Sequence, residues 1–196
     1  MFSEHWRCIS ESAGDRVKQI RLEMALCYRA IQQNPPRVFI EVGASGGGSL
    51  AIYAHACVPG AHVIAVDRGE RAASLRERIA QLREECYAVD WVKGNSHSAE
   101  IVARVRELVD GRNVGFLHID GDHSYEGAMR DWENYGPLVG WGLVAFHDVR
   151  WARGVARAWA EIRAASGYPW CDVVGPPYLD TGRRVGIGLL WKGVEP

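Results

Sequence analysis

The chain has 196 residues, of which 47% are hydrophobic and 24% are charged. These fractions are ordinary for a globular protein and exclude a disordered, collagen-like or membrane-spanning chain. Its 23 basic and 24 acidic residues leave a formal net charge of −1, which argues against a protein built to bind nucleic acid. At roughly 150 residues per domain, this length predicts one domain over residues 1–196.

The first predicted element is a helix over residues 13–33, which Asn34-Pro35-Pro36 ends. Apolar side chains recur in it at the spacing of one helix face. They are Val17, Ile20, Met24, Cys27 and Ile31. Residues 1–36 therefore form an N-terminal helical segment ahead of a core over 37–196. We expect the apolar face either to lie over a binding site or to pair two subunits into a homo-oligomer.

After this segment, predicted strands and helices alternate along the chain. The predicted strands are 37–42, 62–67, 87–94, 113–120, 141–148, 169–174 and 184–192. The predicted helices are 48–57, 69–85, 98–109, 124–135 and 154–165. Such alternation predicts βαβ units with right-handed crossovers. The last two strands have no helix between them. We therefore expect an α/β fold: a doubly wound, mostly parallel sheet of seven strands, the last two an antiparallel hairpin, with helices on both faces.

Cysteine spacing and the N-terminal sequence predict the compartment. The five cysteines are scattered and form no CxxC pair of the kind that binds zinc. The first 16 residues contain no apolar stretch of signal-peptide length. We therefore expect a cytoplasmic protein with reduced thiols, which binds neither a membrane nor nucleic acid.

Polar residues follow the predicted strands at their carboxyl ends, where an open α/β sheet binds its ligands. Strand 37–42 leads into a glycine-rich loop over residues 43–49, and strand 62–67 ends at Asp67. The loop lets backbone approach a ligand closely and points helix N–H groups toward it. Asp67 can accept both hydroxyls of a ribose, or it can cap the helix that follows. Together the loop and the acid favour a ribose-bearing nucleoside cofactor.

Two common phosphate-binding loops do not match the glycine-rich segment. A dinucleotide fingerprint would place glycine at positions 43, 45 and 48, and Ser45 breaks it. A Walker loop would need a lysine after the glycines, and the sequence has none there. An NAD-type oxidoreductase is therefore a less favoured alternative.

Two segments resemble a known family. EVGASGGGS (41–49), followed by AVD (65–67), resembles the first two motifs of Rossmann-like S-adenosylmethionine (SAM) dependent methyltransferases. The segment FLHIDGDHSYEGAMRDWENYGPLVGWGLVAFHDV (116–149) is more specific. It is similar to the family that includes metal-dependent sugar O-methyltransferases and proteins labelled cephalosporin hydroxylases. The resemblance covers residues 37–150 and implies a Rossmann-like fold, SAM as cofactor and methylation of a small-molecule or sugar hydroxyl.

The resemblance also implies which residues hold the cofactor. The loop after the first strand would hold the methionine part of SAM, the acid after the second strand the ribose, and the residues after the third strand would lie by the adenine. An acid after the fourth strand would border the cofactor. The implied residues are Glu41, Gly43, Ser45, Gly47, Asp67, Asn95, Ser96 and Asp120.

A second group of polar residues follows the fourth and fifth strands. These strands are expected to be neighbours, so Asp120 and Asp148 approach each other. Adjacent carboxylates repel unless one is protonated or a cation lies between them, and Mg²⁺ suits carboxylates and water. Members of the resembled family hold a divalent ion with an acid after the fourth strand and an adjacent pair after the fifth. That pair is His147-Asp148 here, and a histidine ligand favours Mn²⁺, Fe²⁺ or Zn²⁺. Alternatively, both residues only cap a loop.

Methyl transfer to a hydroxyl also needs a group that takes the hydroxyl proton. His123 and Asp122 both follow Asp120 closely, and either can serve. We prefer His123 because the ordinary pKa of imidazole lies near neutrality. Its alternative role is a contact in the first turn of helix 124–135. A non-catalytic SAM-binding module is the second functional alternative. In the resembled family the pair after the fifth strand is often two acids or an acid and an amide, and His147 departs from that pattern.

Tryptophan is frequent, with eight residues in the chain. A chain of this length has room for the sheet and almost no separate substrate domain. We therefore expect part of the acceptor site to be walled by tryptophans in the segments near the strand ends. The candidates are Trp6, Trp132, Trp151 and Trp159, whereas Trp91, Trp141 and Trp191 are expected to pack on the sheet.

Overall fold

The structure, a computed structural model, describes residues 19–178 and 181–193. Its helices are α1 (Arg21–Gln32), α2 (Gly48–Ala54), α3 (Ala72–Glu84), α4 (Ala99–Val109), α5 (Tyr125–Tyr135) and α6 (Arg153–Ser166). Its strands are β1 (Val38–Val42), β2 (His62–Asp67), β3 (Ala88–Lys93), β4 (Phe116–Ile119), β5 (Gly142–His147), β6 (Trp170–Val173) and β7 (Ile187–Lys192). A single 3₁₀ turn, Gly136–Leu138, follows α5 in this part of the chain.

The seven strands form one sheet in the order β3-β2-β1-β4-β5-β7-β6. Strands β1 to β5 are parallel, while β7 runs antiparallel to both β5 and β6. The predicted fold class, including the closing hairpin, is confirmed. The parallel strands β2, β1, β4 and β5 are consecutive in this order, so their carboxyl ends lie at one edge of the sheet. The polar residues that follow the predicted strands lie at this edge.

Alternating strand residues divide the core into two layers. Phe39, Val63 and Phe116 face the layer formed by α1, α2 and α3. Ile40 and Leu117 face the layer formed by α4, α5 and α6. Successive side chains of a strand point to opposite faces, so a sheet covered on both sides needs apolar residues at consecutive positions. This explains the continuous apolar strands of the sequence.

Several predicted boundaries are wrong by a few residues, and backbone geometry gives the reason. The helix predicted from 69 begins at Ala72, because the Asp67 carboxylate accepts a hydrogen bond from the Gly69 N–H at 2.6 Å and holds a turn there. The strand predicted from 184 begins at Ile187, after Gly186 with a φ of +71°. Residues 13–18 of the first predicted helix lie outside the described residues.

Three of the tryptophans lie in different surroundings, two in the core and one at the surface. Trp159, expected at the acceptor site, is buried in the core against Phe146, with ring centroids 5.5 Å apart. Trp132 also contacts this phenylalanine, with ring centroids 6.1 Å apart, and belongs to the core of that layer. The prediction for Trp159 is wrong because this position falls on the sheet-facing side of α6. Trp141 lies just before β5 and is 49% exposed, so it does not pack on the sheet as predicted. Trp6 lies outside the described residues.

No helix in residues 19–178 and 181–193 combines the length and the apolar character that crossing a lipid bilayer requires.

Candidate active site

The glycine loop after β1 lies directly against the chain that leaves β4. Gly43 has a φ of +89°, and its N–H donates to the Val66 carbonyl at 2.8 Å. A Cβ atom at this position would overlap the backbone of Asp120 and Gly121. Only glycine satisfies both conditions, because it has no Cβ and tolerates positive φ. The close approach of these two segments shapes the edge of the sheet into a binding site.

A first cavity of about 400 Å³ opens at the ends of β1, β2, β3 and β4. Its lining residues are Val42, Gly43, Ser45, Val66, Asp67, Arg68, Glu70, Gly94, Ser96, Asp120, Gly121 and Asp122. The Asp67 carboxylate is fixed in this wall, because Oδ2 accepts from the Ser45 N–H at 2.8 Å and Oδ1 from the Gly69 N–H at 2.6 Å. Each oxygen keeps a further lone pair that can accept from a ligand hydroxyl.

Five of the eight predicted cofactor residues line this first cavity, and three do not. Glu41 is fully buried, with Oε1 2.8 Å from Nδ1 of the equally buried His118. Gly47 is the N-terminal cap residue of α2, with a φ of +78°. Asn95 accepts hydrogen bonds through its side-chain oxygen from Arg68 and from the His97 N–H. Glu41 therefore lies in the sheet, while Gly47 and Asn95 lie in the loops that border the cavity.

A second cavity, of about 690 Å³, adjoins the first and shares Gly43, Ser45 and Asp120 with it. Its further lining residues are Gln19, Ala44, Gly46, Gly48, Ser49, Arg71, His123, His147, Asp148, Trp151, Tyr178, Thr181, Arg183 and Val185. Among the three predicted acceptor-site tryptophans that the structure describes, Trp151 lines this cavity.

The floor of the second cavity is a cluster of two carboxylates and two imidazoles. Nε2 of His123 lies 3.6 Å from Asp120 Oδ1 and 3.3 Å from Asp148 Oδ2. Nδ1 of His147 lies 3.3 Å from an oxygen of each of the same two carboxylates. Asp148 has a φ of +62°, a strained conformation for a residue with a side chain and one often found at functional sites. The structure thus brings together Asp120, His123, His147 and Asp148, as the sequence predicts.

The pKa values of His147 and Asp120 depend on two opposing effects, burial and the charges of neighbouring side chains. Burial opposes a charge on His147, yet Asp120 and Asp148 raise the pKa of this imidazole to about 10. Burial likewise disfavours charge on Asp120, but the charge on His147 and contacts with both histidines hold the pKa of this carboxyl well below its ordinary value. At neutral pH His147 is therefore an imidazolium, paired with the carboxylate of Asp120.

His123 and Asp122, the two candidates for the base, occupy different environments. His123 lines the second cavity, and its contact with Asp120 raises its pKa, with burial acting in the opposite direction. Asp122 lines the first cavity instead, and its Oδ1 accepts from the Ser124 N–H at 2.8 Å. That hydrogen bond lowers the pKa of Asp122. A carboxylate held this way is a weaker base than an ordinary aspartate.

The cluster has the donor set of a divalent cation site. One ligand atom from each of Asp120, His123 and Asp148 can be chosen so that all lie within 4.8 Å of one another. Two carboxylates and an imidazole fit a borderline ion such as Mn²⁺ or Zn²⁺ better than Mg²⁺. His147, a predicted ligand, lies outside this group of three and beneath it, 6% exposed.

Helix α5 holds the loop that follows β3. The Tyr135 hydroxyl donates to the Ser96 carbonyl at 2.8 Å, and Nε2 of His97 lies 3.2 Å from Oδ1 of Asp131. Asp131 is fully buried behind Gly121, and neither of its oxygens has a well-formed hydrogen bond among the described residues. Burial raises the pKa of Asp131 to about 6.

We predict that Asp131→Asn stabilises the protein at about pH 8 and changes little at about pH 4. The raised pKa means that the folded state binds more protons than the unfolded state between the ordinary pKa and 6. Stability is therefore lost as pH rises through this window, and the neutral amide avoids that loss. Thermal unfolding of both proteins at the two pH values is the measurement. A lower melting temperature for the variant at the higher pH would show that the Asp131–His97 pair is stabilising overall.

Two residues near the N-terminal end of the described chain contribute to the site, and the sequence did not predict them. Gln19 donates through Nε2 to Asp120 Oδ2 at 2.9 Å. Glu23, fully buried on α1, accepts from the Gly175 N–H at 2.7 Å and the Gly186 N–H at 3.2 Å. Glu23 thereby holds both ends of the connection between β6 and β7 in place, and residues of this connection line the second cavity. No sequence signal marks either residue, because both act on segments more than 100 positions away.

Solved structures of known proteins share this fold. One is the O-methyltransferase TomG from Streptomyces achromogenes, involved in tomaymycin synthesis and solved with SAM, with a TM-score of 0.70 and 16% identity over 97% of this chain and 91% of that one. A second is an O-methyltransferase from Bacillus cereus, solved with S-adenosylhomocysteine (SAH), with a TM-score of 0.69 and 16% identity over 96% and 90%. A third is CalS11, a TDP-rhamnose 3'-O-methyltransferase of calicheamicin biosynthesis, with a TM-score of 0.64 and 18% identity over 98% and 82%. The fold is thus the Rossmann-like fold of these O-methyltransferases.

The family follows from the sequence itself. The model of the Rhamnosyl O-methyltransferase/CmcI family matches residues 8–149, well over half of the chain, and the chain belongs to that family. No curated protein matches the sequence significantly. The prediction of a SAM-dependent O-methyltransferase is confirmed, and family membership sets aside the NAD-type oxidoreductase.

Proposed function

We propose that this enzyme methylates a hydroxyl of a small-molecule or sugar acceptor that binds in the second cavity. The observation that carries the proposal is the junction of the two cavities at Gly43, Ser45 and Asp120. A nucleoside cofactor in the first cavity can direct its sulfonium methyl through this junction toward His123. The rhamnosyl acceptors named for the family, and the TDP-rhamnose named for CalS11, support a sugar hydroxyl as the acceptor.

The first cavity provides a distinct partner for each part of SAM. The Asp67 carboxylate, fixed by the Ser45 and Gly69 N–H groups, would accept hydrogen bonds from the two ribose hydroxyls. Gly94 and Ser96 lie beyond it, where the adenine would extend along the end of β3. Gly43 and Ser45 line both cavities, so their backbone borders the methionine part. Asp120 lies where the cofactor and the acceptor meet.

The chemistry is an in-line displacement at the methyl carbon. The acceptor oxygen forms a bond to this carbon while the carbon–sulfur bond breaks, and SAH leaves with the sulfur electron pair. Nε2 of His123 takes the hydroxyl proton, and the imidazolium formed is stabilised by Asp120 and Asp148, 3.6 and 3.3 Å away. Holding the two reactants in line supplies the remaining acceleration.

The same cluster can assist through a divalent cation. Asp120 and Asp148 would hold it, with His123 as the third ligand. When bound, the cation would lower the pKa of the acceptor hydroxyl and replace the need for a protein base. His147 would remain beneath the ligands and offset part of their negative charge.

Removal of divalent cations distinguishes the two proposed roles of His123, proton acceptor and cation ligand. We expect dialysis against EDTA to lower the rate of methyl transfer by about tenfold, and Mn²⁺ to restore it better than Mg²⁺ because one ligand is an imidazole. The rate is followed as SAH release from SAM with a panel of hydroxylated acceptors. An unchanged rate would remove the cation from the proposal and leave His123 as the base. SAM binding without transfer to any acceptor would support the non-catalytic module.

The second cavity is lined by several segments of the described chain, from Gln19 to Val185. Helix α1 buries its apolar face against its own sheet, and its largest exposed apolar side chains are Leu22 and Leu26, each 40% exposed. Pairing of subunits through α1 would therefore use these two leucines. The proposed function does not depend on it.

A further inference from the structure

Arg183 lines the second cavity. Its guanidinium carbon is 5.0 Å from the centroid of the Trp151 ring. Trp151 also contacts the ring of His123, with centroids 6.0 Å apart and planes nearly perpendicular. One indole ring thus lies against both the guanidinium and the proposed base, and all three side chains line the same cavity.

The charge of Arg183 has no carboxylate partner within residues 19–178 and 181–193. The contrast with a neighbouring arginine is clear, because Arg150 pairs with Asp172 at 2.7 Å. Both carboxylates that line the cavity, Asp120 and Asp148, are engaged by the two histidines of its floor. Arg183 therefore offers the donors of its planar guanidinium to whatever occupies the cavity.

We propose that the acceptor carries an oxyanion close to the hydroxyl that is methylated, and that Arg183 binds this oxyanion. The inference rests on the proposed function and names the chemical class of its substrate. Arg183 is exposed, and a neutral acceptor packed against its guanidinium would displace part of its hydration water without supplying a counter-charge, which is unfavourable. A carboxylate, phosphate or sulfate replaces that water with charge-assisted, bidentate hydrogen bonds. The Trp151 ring, 5.0 Å from the guanidinium carbon, contacts this group through a cation–π interaction.

The test compares matched pairs of hydroxylated compounds that differ by one anionic group. The pairs are glucuronate with glucose, glucose 6-phosphate with glucose, and 3,4-dihydroxybenzoate with catechol; they separate carboxylate from phosphate and sugar from aromatic rings. Binding to the SAH-loaded and the cofactor-free protein is measured by ligand-observed NMR at millimolar concentration, and methyl transfer is measured alongside. The variants are Arg183→Gln and, as the matched control, Arg184→Gln. Arg184 is exposed and adjacent in sequence but does not line the cavity.

We expect at least one anionic compound to bind about tenfold more tightly than its neutral partner, the size of one charge-assisted interaction. Arg183→Gln should abolish this preference while leaving binding of the neutral compound unchanged, and Arg184→Gln should keep it. Equal binding within every pair, absence of binding by every anionic compound, or a preference that survives Arg183→Gln would each overturn the inference. Loss of SAH binding alone would count against the proposed function, whereas the cofactor-free measurement still decides the role of Arg183.

Discussion

Replacing Asp67 by alanine is expected to weaken SAM binding by about 100-fold, because two hydrogen bonds to a charged carboxylate are lost together. The same carboxylate holds the Ser45 and Gly69 N–H groups, so its removal also loosens the glycine loop. Asp67→Asn should have a smaller effect, since the amide keeps one acceptor oxygen in place. Isothermal titration calorimetry gives the dissociation constant for SAM of the unmodified protein, Asp67→Ala and Asp67→Asn.

Asp90→Ala is the matched control for this prediction. Asp90 is on the neighbouring strand β3 and its carboxylate pairs with His62 at 2.7 Å, away from both cavities. The Asp90→Ala substitution removes an acid and an ion pair from the same sheet, but it should leave the dissociation constant for SAM unchanged. If Asp67→Ala bound SAM nearly as tightly as the unmodified protein, the ribose would not be bound at Asp67.

Replacing His123 by glutamine is expected to lower kcat by roughly 10²- to 10⁴-fold, the usual contribution of a positioned acid or base. The reduction should leave SAM affinity unchanged, because His123 lines the second cavity and not the first. Steady-state kinetics with the best acceptor, together with SAM titration, separates the two effects.

Asp122→Asn decides between the two candidates for the base. Asp122 lines the cofactor cavity, and its carboxylate accepts a hydrogen bond from the N–H of Ser124, the residue that caps α5, so its replacement should change SAM affinity more than kcat. A loss of kcat in Asp122→Asn as large as that in His123→Gln would reverse the assignment.

The sequence predicted most of the site because the sheet is parallel. Asp67, Asp120 and Asp148 each follow a strand, and parallel neighbours bring such positions to one edge without knowledge of any side-chain contact. The apolar strands and the helical periodicity between them were sufficient to predict this sheet. The glycine pattern added Gly43, whose position depends only on the close approach of two neighbouring strand ends.

Other parts of the site depend on contacts between distant segments. Arg183 and Glu23 act at the second cavity from the two ends of the described chain, and neither follows a parallel strand. Trp159 was misplaced because the packing side of α6 is set by the sheet beneath it. Adjacent strand residues normally point to opposite faces. His147 and Asp148 nevertheless both contact Asp120 or its partners, because the positive φ of Asp148 ends that alternation.

The most direct test of the proposed arrangement is a crystal structure with SAM or its product SAH. We expect the ribose on Asp67, the adenine near Ser96, and the sulfur at the junction beside Gly43 and Asp120, facing His123. A cofactor whose sulfur faces away from the second cavity, or whose adenine occupies that cavity, would contradict the account.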